Sequence, residues 1–547
     1  MNSRCLLAFF SLTGIALGQS VNMPLTDLLS RVTTTENTFL DDLSKYKPLV
    51  ETYVQFLTPV AGASEQISDD AYFIGNAEFR RGVDYQGFNP DRTFGSDVLD
   101  FLRGPKKPHL LPRSFAQVAL IDRENFSTDH YDFENPHGEF LGSVRCIVLD
   151  VKPKPKEPAG RFIGRIWVED KGFHVVRFTG TYTFKRSTRS FHFNSYREQV
   201  GPGLWMPSIA YIEESGGVGR QAAGDLKGLV RFWSYASTGP QKTETFTNIS
   251  IEAPQPPQDA AADELSRTEA LREWERQAEE NTIQRMEKAG LVGPQGDVEK
   301  VLDTVLNNLL ATNKLSVEPP IRIRVLLTTP LETFTVGHTL LVSRGLIDVL
   351  PSEASLAAVI SRELAAIVLG FKSTTMNAFS DRMLFDDQQI FRQFVFRRTS
   401  AEDLQANRKA MEILKNSPYA DQLPAVGLFL KALVSKGGAL TNLTMARIGN
   451  PVADQGSAIL LPDLISIAPK LDAANKEQIA ALPLVSRIRL DPWSNGSEMI
   501  RSKAVPLLSA NEKMPFEVMP VVLTLKRQDD PKRQEDPVNK TASAAAQ

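Results

Sequence analysis

An α+β chain is what this sequence predicts, with an antiparallel sheet in the N-terminal half and a mostly helical C-terminal half. Three observations predict it. Between about residues 70 and 250, short runs of alternating apolar and polar residues are separated by turn residues. Beyond residue 260 the apolar period lengthens to that of helices. The Pro-rich stretch 253–260, Ala-Pro-Gln-Pro-Pro-Gln-Asp-Ala, separates the two regimes.

Length and charge bound the answer. The 547 residues correspond to about three domains. The net charge is −3 and the basic residues are dispersed, which argues against nucleic acid and against an anionic membrane surface as partner. Residues 1–18 carry Arg4, an apolar run and a small-residue site, Ala16-Leu17-Gly18, before Gln19. That pattern predicts a secretory signal peptide and hence an exported protein, periplasmic or extracellular. Only Cys146 would remain after cleavage, so core packing alone must hold the fold. No later stretch reaches the roughly 18–20 apolar residues of a membrane span.

Taken in order, residues 22–58 read as amphipathic helix, with Leu25, Leu28, Leu29 and Val32 on one face and a second run of Leu49, Tyr53, Phe56 and Leu57. Alternation marks strands at 162–169, 176–178, 181–184, 191–193, 207–213 and 229–235, with turns at Asp170-Lys171-Gly172, Gly201-Pro202-Gly203 and Ser215-Gly216-Gly217. Asp129 to Glu139 gathers two histidines and four carboxylates, a composition that suits a divalent cation. The alternation of Tyr131 and Phe133 with polar residues instead reads as a strand running into a Pro-Gly turn. The order of pieces, a helix, then Cys146 to Pro153, Gly164 to Val168 and Gly203 to Pro207, resembles the LolA-like half-barrel of cell-envelope proteins over 22–252. That resemblance implies a curved sheet whose concave face holds an acyl chain or a hydrophobic peptide. The alternative is a concave face that is filled or covered by helices.

After the linker, the segment 253–297 carries a charged helix from Asp263 to Ala289, with Leu271, Trp274 and Ala278 on one face. Helices follow over 298–310, 350–372, 374–396, 401–414 and 423–433, with strands at 321–326 and 339–342, giving a unit over 298–480. Residues 481–525 read as strands or extended wraps, and 526–547 as a disordered tail.

The helix 350–372 starts at Ser352 as N-cap and stops at Gly370. Its centre is Arg362-Glu363-Leu364-Ala365-Ala366. A zinc metallopeptidase places His-Glu-x-x-His there, two imidazoles one turn apart on one metal with the Glu activating its water. Here the Glu stands and both histidines are absent. The flanking Leu340 to Ile347 and Glu353 to Gly370 resemble the HtpX and CAAX prenyl protease family of zinc metallopeptidases.

That resemblance implies a zincin-like peptidase domain with its general base position at Glu363 and its two histidine positions at Arg362 and Ala366. It places Asp403 at the third ligand and Asn407 at the family's following Asp. Arg cannot ligate zinc, Ala has no donor, and His338 is the one histidine after residue 250, so no zinc or other cofactor is expected. In place of the metal the resemblance implies an Arg362–Asp403 ion pair, with Asn407 bonding Glu363 or a backbone group.

The leading reading is a catalytically inactive exported protein that binds an envelope protein, peptide or lipid through the old cleft or the curved sheet. One alternative is an active zinc metalloendopeptidase with a non-standard site. A second is a carrier or sensor of lipid or lipoprotein through the sheet alone.

Overall fold

The computed structural model describes residues 23–58, 66–80, 82–88, 112–122, 124–183, 190–215, 225–237, 260–371, 396–454, 457–471, 488–490 and 497–499. The expected signal peptide, the Pro-rich linker up to residue 259, all but the last residue of the expected helix over 374–396 and the tail 526–547 lie outside the described residues, as does most of 481–525.

Leu25–Leu43 forms α1, burying Leu28, Val32, Phe39 and Leu43 as one helical stripe. The helix ends there. Tyr46–Thr58, expected to continue it, is strand β1. Leu49, Tyr53 and Leu57 recur every four residues, and four is also a multiple of two, so the spacing suits one face of a strand as well as of a helix. Pro48 and the Val and aromatic residues around it favour the strand.

The sheet continues with β2 (Gln66–Glu78) and β3 (Asp84–Gly87). A short helix α2 (Pro112–Ala116) precedes β4 (Tyr131–Leu141) and β5 (Val144–Pro153). Then come β6 (Phe162–Glu169), β7 (Val175–Tyr182), β8 (Ser190–Gly201), β9 (Leu204–Ser215) and β10 (Asp225–Ser237). The order is β3-β2-β1-β10-β9-β8-β7-β6-β5-β4, ten strands in all, paired antiparallel throughout. In β4 the expected Pro-Gly turn is instead a bulge. The register shifts between Glu134 and His137, Asn135 takes φ 52°, and the strand runs on to Leu141.

The sheet is curved around α1. Laid flat, the strands from β2 to β4 would span about 40 Å, while a helix the length of α1 reaches about 28 Å. Apolar side chains from β2 across to β4 nevertheless join one cluster with α1. Gly164 and Gly180 face each other where β6 meets β7, and a Cβ on either would lie 2.1–2.2 Å from a carbonyl oxygen across the ladder. Only glycine permits that close approach.

Alternate residues of β1 serve opposite faces. Val50 and Val54 face α1, whereas Leu49 and Tyr53 pack with Trp233 against the C-terminal half. That half begins with α3 (Ala260–Lys288), of which Ile283 and Met286 join this second core. Next are α4 (Asp297–Thr312), β11 (Arg322–Leu326), β12 (Glu332–Val336) and β13 (Thr339–Ser343). α5 (Arg344–Val349) leads into α6 (Glu353–Val368), buried at every residue from Ala354 to Ile367. α7 (Ser400–Lys415) and α8 (Leu423–Gly437) pack against it, α9 (Thr441–Thr444) lies against β2, and β14 (Asn450–Pro451) completes a four-stranded sheet ordered β11-β13-β12-β14. Residues 488–490 and 497–499 form a small hairpin. No helix among the described residues is long and apolar enough to cross a membrane.

The seam between the halves centres on Glu51 of β1, which is buried. It accepts from Tyr72 Oη (2.9 Å), Thr329 N (2.6 Å), Thr329 Oγ1 (2.9 Å) and Arg344 Nη2. Asp70 of β2 caps α9 by accepting from the backbone N–H groups of Asn442 and Leu443. Arg344 already has Nε and Nη1 buried without a partner, so removing Glu51 leaves a whole guanidinium uncompensated. Glu51→Ala is therefore expected to cost about 3–5 kcal/mol. Denaturant unfolding should show one transition shifted for both halves together. Two separate transitions, with the sheet unaffected, would contradict this seam.

Candidate functional site

The centre of α6 is held by both its ends. Ser352 Oγ accepts from Ser355 N (3.2 Å), as the N-cap reading requires. Gly370, at φ 73°, ends the helix, with Gly370 N donating to Ile367 O (2.9 Å) and Phe371 N to Ala366 O (3.0 Å). Between these ends, Arg362, Glu363 and Ala366 are wholly buried.

The expected Arg362–Asp403 pair does not form. Arg362 Nε donates to its neighbour Glu363 (3.3 Å) and Nη1 to Pro451 O (3.2 Å), while Nη2 is buried without a partner. The cation between the carboxylates is Arg398. Its Nη1 and Nη2 clamp Glu363 at 2.7 and 2.8 Å, and its Nε reaches Asp403 at 3.1 Å. Thr333 Oγ1 adds a bond to Glu363 (2.7 Å). One planar guanidinium thus ties α6 to the start of α7, with the bidentate geometry that suits Arg. Arg398 stands just before Thr399, the N-cap of α7, and Arg397 precedes it. Two arginines at the positive end of a helix are unfavourable unless carboxylates meet them. That was the available signal, and motif matching passed over it because Arg398 lies outside the matched run.

Electrostatics follow from this geometry. Burial raises the Glu363 carboxyl, but the Arg398 charge and hydrogen bonds, with Arg362 and Thr333, outweigh it and lower the pKa to about 2. Burial and the neighbouring Arg398 cation lower Arg362, against the pull of Glu363 and Asp403. A carboxylate gripped by three N–H donors and a hydroxyl is poorly placed to take a proton from water.

The outer edge of β12 is taken by the chain itself. Glu332 pairs with Pro451 and Thr333 with Asn450, antiparallel. Asn407 bonds backbone, one of the two options expected for it, donating to Ile459 O (2.8 Å) and accepting from Leu461 N (3.1 Å). His338 sits in the turn between β12 and β13, its Nδ1 2.8 Å from Pro319 O. In the Asp129–Glu139 run, His130 meets Glu157, Glu134 meets Lys152 and Glu139 accepts from Trp167 Nε1. Among the described residues no group of three metal-ligating side chains converges.

The second candidate is the helix-covered face of the curved sheet. Its floor is Phe162, Phe178, Phe193, Met206 and Phe232, with Tyr182 stacked on Phe193 at 5.0 Å. Its cover is α1 with Phe115 to Ile121, and these residues are buried against the floor. The covered alternative is therefore what the described residues show. A buried ion pair joins α1 to β8, Arg197 to Glu36 at 2.6 and 2.7 Å, with Arg197 3.7 Å above the Phe39 ring.

No protein-family model matches this chain, and no curated protein matches it. Among solved structures it is similar to a DUF1329 family protein from Desulfovibrio piger, at 12% identity and a TM-score of 0.23, covering 40% of this chain and 94% of that one. It is also similar to a LolA superfamily protein from Nitrosomonas europaea, at 9% identity and a TM-score of 0.22, covering 38% of this chain and 93% of that one. Both scores are low, and the ten-stranded topology rests on this chain's own strand register. The resemblance of the C-terminal half to zinc peptidases has no counterpart in these matches.

Arg398→Met leaves Glu363 buried and short of its main cation, an expected loss of about 3–5 kcal/mol. Adding Glu363→Gln should recover part of it in denaturant titrations. Glu363 is depressed from the ordinary 4.5 to about 2. Its contribution is therefore present above pH 4.5 and lost as pH falls through about 2. The double variant should show a flatter acid limb than wild type. Equal limbs would mean Glu363 is not held this way.

Proposed function

We propose that this is an exported, non-catalytic carrier or sensor of a lipid or lipoprotein, acting through the helix-covered face of the curved sheet. The observation that carries the reading is the apolar floor of Phe162, Phe178, Phe193, Met206 and Phe232, which runs under a cover made of one amphipathic helix and a short segment. Each methylene of an acyl chain gains about 0.8 kcal/mol on leaving water for such a face. Residues 1–18 support export.

A second reading, a pseudopeptidase that binds peptide through the C-terminal half, is favoured by Arg398 standing between the two carboxylates that the resemblance gives to a metal centre. It is opposed by the self-pairing along β12. The third reading, an active zinc metalloendopeptidase, is opposed by ligand chemistry, since Arg362 and Ala366 supply no donor to zinc.

Titration with a dansyl-labelled undecanoic acid tests the carrier reading. The expected result is saturable emission with a Kd of order 1 µM, about −8 kcal/mol. No rise up to roughly 1 mM would remove it. Elemental analysis of wild type and Asp403→Ala should find sub-stoichiometric zinc in both. One zinc per chain, lost in the variant, would restore the enzyme.

A further inference from the structure

Acyl chains alone need no charge on the face that holds them. A charge pair nevertheless lies beneath α1. The buried stripe of that helix runs Leu28, Val32, Glu36, Phe39 and Leu43, so a carboxylate stands where the period calls for an apolar residue. Arg197 of β8 meets it from the sheet, and both side chains are buried. A buried ion pair gives little stability over well-packed apolar residues of the same bulk, so stability does not account for this one. We propose that Arg197 is the headgroup receptor of the covered face, that Glu36 occupies it in place of a ligand, and that the ligand is a single-chain amphiphile ending in a carboxylate, of the fatty-acid class. The proposal rests on the carrier reading and names what is carried.

The contact has the form of ligand recognition. Arg197 Nη1 and Nη2 donate to the two oxygens of Glu36 at 2.7 and 2.6 Å, the fork by which a guanidinium takes a free carboxylate. The cation is also fastened from the sheet side, independently of α1. Nη1 donates to Val175 O (3.2 Å), and the guanidinium lies 5.5 Å from the Phe178 ring. Arg197 therefore keeps its place when one carboxylate is exchanged for another. Its Nε and the Ser195 hydroxyl, two residues back on the same strand, are buried without partners.

An apolar track leads away from the charge. From Phe178 the floor continues to Phe193, at 5.8 Å between ring centroids, and on to Phe162, at 6.1 Å. A cation at one end of a row of rings matches an anionic head on an acyl tail. Exchanging Glu36 for a ligand carboxylate leaves no charge stranded at Arg197. A neutral ligand in the same place strands the guanidinium, so the anion is preferred by about hundredfold.

Paired titrations on the full chain test this, with dansyl-labelled undecanoic acid and its methyl ester as probes. The acid should bind about hundredfold more tightly than the ester. Glu36→Gln keeps the shape of the cover and removes the competing charge, so acid affinity should rise by about tenfold. Arg197→Met combined with Glu36→Gln leaves no charge to satisfy, and should bind acid and ester alike. The proposal is overturned, with the carrier reading intact, if the acid's advantage in wild type falls below about tenfold. It is equally overturned if the double variant keeps that advantage, or if Glu36→Gln leaves acid affinity unchanged or lower. Binding of neither probe up to roughly 1 mM removes the carrier reading and this proposal with it. Where one variant fails to fold, the wild-type ratio and the other variant decide.

Discussion

A buried carboxylate stays charged only if cations and donors surround it, and Glu363 is that carboxylate here. Its partner Arg398 reaches Asp403 with the third arm of the same guanidinium and spends its backbone N–H on Asn450. Thr333 joins from β12. One charge pair thus sets the mutual positions of α6, α7, β12 and β14.

The same rule operates at the seam. Glu51 lies on the face of β1 away from α1 and collects donors from both halves of the chain. Asp70 does the same for the start of α9. Burial raises the Asp70 carboxyl, against the lowering effect of the Asn442 and Leu443 N–H groups and the hydroxyl of Tyr53. Apolar packing between Trp233, Leu49, Met286 and Leu327 surrounds these polar points. Non-directional burial supplies the adhesion there, while the charges select one register.

These arrangements bear on function by subtraction as much as by addition. The C-terminal half uses its polar side chains on itself, through Glu332, Arg362, Arg398 and Asn407. The sheet is different. Its α1 side is apolar over a long stretch and carries the Arg197–Glu36 pair.

Much of the local structure was legible in the sequence. Alternation located the strands from Phe162 onward, and Ser352 and Gly370 bounded the central helix, because periodicity and capping are local effects. Motif spacing also located Glu363 and Asp403 at one cluster. Where spacing was degenerate the reading failed: Leu49, Tyr53 and Leu57 suited either periodicity, and β1 became a strand because β2 and β10 lie against it. The bulge at Asn135 and Pro136 likewise depends on pairing with β5. Which cation neutralises Glu363 was not a local matter. Arg362 is adjacent in sequence, yet it gives Glu363 only Nε at 3.3 Å and turns Nη1 to Pro451, whereas Arg398, 35 residues away, clamps the carboxylate at 2.7 and 2.8 Å. The sequence by itself determined the strands from Phe162 onward, the bounds of the central helix and the apolar character of both halves, since each is written in residue type and period. Only the tertiary structure decided the partner of each buried charge, the cover on the curved sheet and the pairing of β14 with β12. Those depend on distances between residues far apart in the chain, and a charge pair or a strand edge is satisfied by whichever group the fold brings within reach.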